Sequence, residues 1–91
     1  MKITFDAAKN ERNVRERGLP FTLAAEFDFQ TAVTVEDTRR DYGEKRYRSL
    51  GWINDKLYAL VFTFRGESVR VISLRTANRK ERKRYAEACQ P

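Results

Sequence analysis

The sequence predicts an α+β domain in which a small antiparallel sheet carries two N-terminal helices and one C-terminal helix. Three observations predict it. Segments with helix-capping residues lie at the two ends of the chain. Between them run β-branched and aromatic stretches separated by turn residues. The intervals between those stretches are too short for crossover helices, so neighbouring strands run antiparallel.

Each element has its own warrant. Ile3-Thr4-Phe5 is long enough only for an edge strand. Asp6 stands where a helix N-cap belongs, residues 7–17 are good helix formers, and Gly18 ends the run. Pro20 introduces a second helix over about 21–28, with Phe21, Leu23, Ala24 and Phe27 on one side. Residues 31–35 (Thr-Ala-Val-Thr-Val) read as a strand. Residues 36–44 are polar, contain Gly43, and form a loop long enough to be mobile or functional. Strands follow at 45–53, 57–64 and 69–75, joined by tight turns at Asn54-Asp55 and at Gly66. The stretch 57–64 is apolar on both faces, as a central strand should be. Asn78 and Glu81 have capping-box spacing and open a last helix that runs to about Cys89. The order is βααββββα, and 91 residues make one domain over 1–91.

Composition limits the function classes. A 35% charged fraction and the lack of any long apolar run argue against a membrane span. The first residues carry no apolar stretch of secretory type. One cysteine, Cys89, permits no internal disulfide, so the cytoplasm is the expected compartment. The net charge of +6 is unevenly spread. Residues 70–91 hold seven basic side chains against Glu81 and Glu87, whereas residues 26–44 hold six acids against Arg39 and Arg40. A basic end on a small domain attracts polyanions, RNA and DNA foremost, or an acidic protein chain that orders on binding.

The chain has no histidine, which removes the commonest general base and most zinc sites. The four glycines are isolated, so no phosphate loop is present, and neither a metal nor another cofactor is expected. What remains is arginine, lysine and hydroxyl chemistry, which suits RNA cleavage. There the 2′-OH is the nucleophile, and fixed cations stabilise the charge that builds on phosphorus. Lys9, Asn13 and Arg17 recur at i, i+4 and i+8, forming one polar stripe opposite Ala7 and Val14. In the last helix Arg79, Lys80, Lys83 and Arg84 form a basic arc suited to RNA attraction, while Tyr85 reads as a core-facing anchor. On the strand 69–75, alternation places Arg70 with Ile72 and Leu74, and Arg75 with Val69, Val71 and Ser73. Arg46 and Arg48 raise the same question on 45–53, since an arginine on an apolar strand face is costly unless it is paired or lines a site.

The residues Phe5-Asp6-x-x-Lys9-x-x-x-Asn13, Gly18-x-x-Phe21 and an Ala/Phe/Asp run at 25–28 resemble the N-terminal motif of the BrnT family of type II toxin–antitoxin toxins. Glu44-x-Arg46, Leu50-Gly51 and Thr63 extend the likeness. The stretch Arg70-Val71-Ile72-Ser73-x-Arg75-x-Ala77-Asn78-x-x-Glu81-Arg82-x-x-Tyr85 resembles the family's most recognisable segment. Two positions depart from the pattern. Glu16-Arg17 stands where relatives have Lys-His, and Asp6-Ala7 where they have Asp-Pro. The resemblance implies a RelE-like fold, metal-independent ribonuclease activity that arrests translation, and neutralisation by a ribbon-helix-helix antitoxin. A heterotetramer of two toxins and two antitoxins would follow, contacting DNA only through the antitoxin. On this reading Lys9, Arg46, Arg70 and Arg75 are the candidate catalytic residues, and Arg17, Arg79, Lys80, Lys83 and Arg84 bind RNA. Two alternatives come from other classes: a non-enzymatic inhibitor of a protein such as gyrase, and a plain RNA-binding module.

Overall fold

The computed structural model describes residues 2–89; Met1, Gln90 and Pro91, the ends of the expected 1–91 domain, lie outside the described residues. The elements are β1 (Lys2–Phe5), α1 (Ala7–Arg17), a 3₁₀ helix (Phe21–Glu26), β2 (Val33–Glu36), β3 (Tyr47–Ile53), β4 (Lys56–Arg65), β5 (Ser68–Thr76) and α2 (Arg79–Ala88). The strands form one sheet in the order β1-β5-β4-β3-β2. None of the described helices is long and apolar enough to cross a membrane.

Local signals act as expected. The Asp6 carboxylate accepts from Ala8 N at 3.0 Å, and Gly18 closes α1 in the left-handed conformation, its N–H donating to Val14 O. Asn54 takes φ 56° in the two-residue turn between Ile53 and Lys56, a conformation asparagine tolerates better than most residues. At the head of α2, Asn78 accepts from Glu81 N at 2.8 Å while Glu81 accepts from Asn78 N at 2.9 Å.

The expected architecture needs correction in three places. The sheet is mixed, because β1 pairs with β5 in parallel while β2 to β5 pair antiparallel. The short-connection argument governs only the β2–β5 meander. β1 reaches β5 with most of the chain between them, so nothing forces an antiparallel pairing. The second N-terminal helix is a 3₁₀ turn, so the RelE-like arrangement with two N-terminal helices is absent. Phe21 and Ala24 are both buried and line up at three residues per turn, while Phe27, also buried, follows the helix in extended conformation. Pro20 supplies no side-chain cap that would lengthen the helix.

The third correction concerns β5. Val61 pairs with Ser73 and Phe62 with Val71, so Ile72 is an extra residue, a β-bulge. Alternation therefore skips a step. Val69, Val71 and Leu74 pair with Phe64, Phe62 and Leu60 on the core face, and Arg70, Ser73 and Arg75 share the opposite face.

The main core lies on one face, where Phe21, Ala24, Phe27, Leu60, Phe62, Val69, Val71 and Leu74 pack together. Complete burial of a Phe or Leu side chain stabilises by roughly 1.5–3 kcal/mol. On the other face α2 covers only one end of the sheet, through Leu57, Ala77 and Tyr85 with Val33 and Leu50. The Tyr85 hydroxyl donates to Thr31 O at 2.8 Å and accepts from Trp52 Nε1 at 3.1 Å, which seats it as the expected anchor. The rest of that second face is left for a groove.

Candidate functional site

The groove between β2, β3, β4 and α2 has an apolar floor of Val33, Val35, Leu50, Ala59 and Val61, and encloses about 120 Å³. Arg39, Arg48, Arg75 and Arg84 converge on it, with Glu81 its single lining carboxylate among the described residues. Each arginine comes from a different element. Arg48 stands on β3 opposite Val61, and Arg75 on β5 opposite Ala59. Arg84 comes from α2, and Arg39 from the loop after β2.

Arg75 and Glu81 form a bidentate pair at 2.7 and 2.8 Å. The guanidinium of Arg75 donating to Glu81 lowers that carboxyl to about 2, and the carboxylate raises Arg75 in return. Glu81 is thus spent on holding Arg75 and capping α2, and it is too acidic to serve as a strong base at neutral pH. Arg39 is close enough for its charge to oppose that of Arg75. Such crowding of cations is costly alone and eased by a polyanion.

Asp37 organises the other side. It is buried, and it accepts from Arg39 Nε and a terminal nitrogen, both at 2.8 Å, and from the Tyr42 hydroxyl at 3.1 Å. The Arg39 guanidinium holds its carboxyl well below the usual carboxylate range. Arg48 Nε lies 3.9 Å from Asp37 Oδ1, too far to donate to it, and this buried N–H has no partner among the described residues. The loop expected over 36–44 to be mobile or functional is therefore pinned by Asp37, whose N–H also donates to Arg46 O at 2.7 Å.

The groove brings together two of the sequence-selected residues, Arg75 and Arg84. Arg70 lies on the groove side of the sheet, between Thr4 and Thr63, but does not line the groove. Arg46 pairs with Glu44 at 3.2 Å and stacks over Tyr42, also away from the groove lining. Arg79, Lys80 and Lys83 are exposed on α2 and do not line it. Lys9 and Arg17 lie in a separate cleft between α1 and β5, with Arg12, Asn13, Glu16, Ile72 and Ser73.

Within the α1 stripe Asn13 points inward, while Lys9 and Arg17 stay exposed. Asn13 is 5% exposed and Val14 43% exposed, because Asn13 Nδ2 donates to Leu19 O at 2.8 Å and Leu74 O at 2.9 Å. β1 ends opposite Val71, so α1 takes its place along the rest of β5, and a polar side chain is needed there. Arg17 then donates to Asn13 Oδ1 at 2.8 Å and contacts Ser73 Oγ at 3.4 Å.

Arg39 escaped sequence reasoning, and Arg48, singled out on its strand as paired or lining a site, was not among the candidate site residues. The one available signal was Asp37 two residues before Arg39, a spacing at which a carboxylate can hold a neighbouring guanidinium.

The fold and groove define a small α+β protein with a cationic cleft suited to a polyanion. The chain belongs to the BrnT family, described as the ribonuclease toxin of type II toxin–antitoxin systems, whose family model matches residues 5–81. Type II systems pair the toxin with a protein antitoxin. A comparison with curated proteins returned no match.

Proposed function

We propose that this chain is a metal-independent endoribonuclease whose scissile phosphate lies in the groove against Arg75, Arg48, Arg84 and Arg39. The observation that carries this reading is the convergence of four guanidinium groups, one with a buried unsatisfied N–H, over an apolar floor. The ribonuclease character of the family supplies the substrate class. Guanidinium groups do not ligate metals, and Glu81, the groove's one carboxylate among the described residues, is doubly engaged by Arg75, so the donor set favours direct stabilisation of phosphorus charge.

The reaction transfers phosphorus within the RNA. The 2′-oxygen attacks the adjacent phosphorus and loses its proton to solvent. The bond to the 5′-oxygen breaks, and that oxygen takes up a proton, leaving 2′,3′-cyclic phosphate and 5′-hydroxyl ends. The arginines meet the added negative charge on the non-bridging oxygens. Arg46, Arg70 and Lys9 lie outside the groove and act on flanking RNA or on structure. Arg79, Lys80 and Lys83, on the exposed side of α2, attract the strand at longer range. Translation arrest in the cytoplasm follows from RNA loss. A ribbon-helix-helix antitoxin, in a complex of two toxins and two antitoxins, would silence the groove by covering it.

The test uses antitoxin-free protein, RNA and excess chelator. Cleavage with cyclic-phosphate ends is expected, and Arg75→Ala should lose about 10²–10³ in rate, typical of removing one transition-state donor. Cleavage that requires an added divalent ion, or full activity in a folded Arg75→Ala protein, refutes the assignment.

A further inference from the structure

Beside the groove lies a second hollow of about 440 Å³, within the roughly 300–1,000 Å³ range of small-molecule sites, lined by Arg17, Leu19, Lys56, Tyr58, Arg75 and Thr76. It shares Arg75 with the groove and Arg17 with the α1 cleft. The three depressions are thus neighbours, each sharing a cationic residue with the next. We propose that this hollow is the subsite for the nucleotide flanking the scissile phosphate, with Lys56 and Arg17 on the backbone phosphate and Tyr58 against the sugar or base. The proposal rests on the reading of the groove as the RNA-cleaving site.

Three observations favour a nucleic-acid strand. Among the described residues three cations line the hollow and no carboxylate does. Among the described residues neither Arg17 nor Lys56 has a carboxylate within salt-bridge distance, so their charge is not already spent. Arg17 is instead held by neutral partners, Asn13 Oδ1 and Ser73 Oγ, which fix its head without neutralising it. Single-stranded nucleic acid is typically held by such pairings of backbone-tracking cations with an aromatic ring. An acidic protein segment fits less well, because Leu19 is the hollow's only aliphatic side chain, whereas the groove floor has five.

The site also explains why the cations stand where they do. Lys56 follows the Asn54-Asp55 turn at the start of β4, exposed and opposite Ile53. Tyr58 pairs with Thr76 at the end of β5, so the β4 and β5 ends meet there. Arg75, the residue before Thr76, reaches the groove through its pair with Glu81 and lines the hollow as well. A strand leaving the scissile position past Arg75 meets Lys56 and Arg17 next.

The experiment measures binding of uncleavable 2′-O-methyl oligonucleotides, a dinucleotide and one of about six residues, by fluorescence anisotropy on antitoxin-free protein. Wild type should bind the longer RNA more tightly. Lys56→Gln should remove most of that gain and flatten the salt dependence by about 0.7 for the lost contact. Arg17→Gln should do the same. Lys56 is the deciding position, because it is exposed and outside the Asn13 network. Arg48→Ala reports on the groove separately and should weaken both lengths. If Lys56→Gln binds the longer RNA with wild-type affinity and salt slope while Arg48→Ala does not, the subsite is refuted and the groove stands. If Arg48→Ala also binds normally, both readings fall. Weakened antitoxin binding by Lys56→Gln with unchanged RNA binding would assign the hollow to the protein partner and overturn the proposal.

Discussion

Replacing Asn13 by leucine sets two physical effects against each other at one buried position. Its amide donates to Leu74 O and Leu19 O and its carbonyl accepts from Arg17. Leucine is close in size and would gain up to about 1.5–2 kcal/mol from apolar burial. Against this, Leu74 O is left buried without that donor, at about 1–3 kcal/mol. The partly exposed Leu19 O bond and the Arg17 contact add about 1 kcal/mol more. Loss wins, by roughly 1–2 kcal/mol.

For a domain of this size 1 kcal/mol moves the melting temperature by about 4–8 °C, so Asn13→Leu should melt roughly 5–15 °C below wild type. Thermal unfolding by circular dichroism reads this directly, with urea titration to check that the slope is unchanged. Val14→Asn on the next residue is the control, because Val14 is 43% exposed and its replacement should stay within about 0.5 kcal/mol. An Asn13→Leu protein as stable as wild type would mean that the amide does not serve the β5 edge. The part assigned to buried Asn13 in joining α1 to β5 would then be wrong.

Gly51→Ala should destabilise by about 1–3 kcal/mol in urea titration, because a Cβ there would sit 2.5 Å from Phe27 Cζ and 3.1 Å from Ala32 Cβ in a filled core. Acid titration should reveal the Arg75–Glu81 pair. The folded-state pKa of Glu81 is depressed to about 2, so its contribution is complete above about pH 4.5 and is lost as pH falls towards 2. Full linkage would be worth about 3 kcal/mol, and solvent screening of Arg75, 39% exposed, reduces this to about 1. Glu81→Gln keeps a capping-box residue, and should flatten this acid limb while lowering stability at pH 7. An acid limb unchanged in that variant would assign the loss to other carboxylates.

What was legible in the sequence is what acts over a few residues. Asp6, Gly18, the Asn54-Asp55 turn and the Asn78–Glu81 box each work within four positions of themselves, and each stands as expected. The 3₁₀ segment was not legible in this way, because the spacing of Phe21 and Ala24 also fits an α-helix and Phe27 lies beyond its end. The parallel β1–β5 pairing has no local signature, because its partners meet only after the meander forms.

The bulge at Ile72 matters most for function. Strict alternation along β5 would put Arg75 on the face of Val69 and Val71, inside the main core. One extra residue moves it to the groove without moving Val69 or Val71. Charge counting fails for a related reason. The acidic excess over 26–44 hides that Asp37 is committed to Arg39 and faces Arg48. A stretch that reads as repelling RNA therefore supplies one of the four groove arginines, and its buried carboxylate holds that arginine at the rim. Glu81 plays the same part for Arg75, six residues away across the β5–α2 junction. In both places a carboxylate fixes the direction of a guanidinium while the surplus of arginines keeps the groove cationic. Net charge along the chain cannot report that arrangement, since it depends on which acids are already paired when the sheet closes.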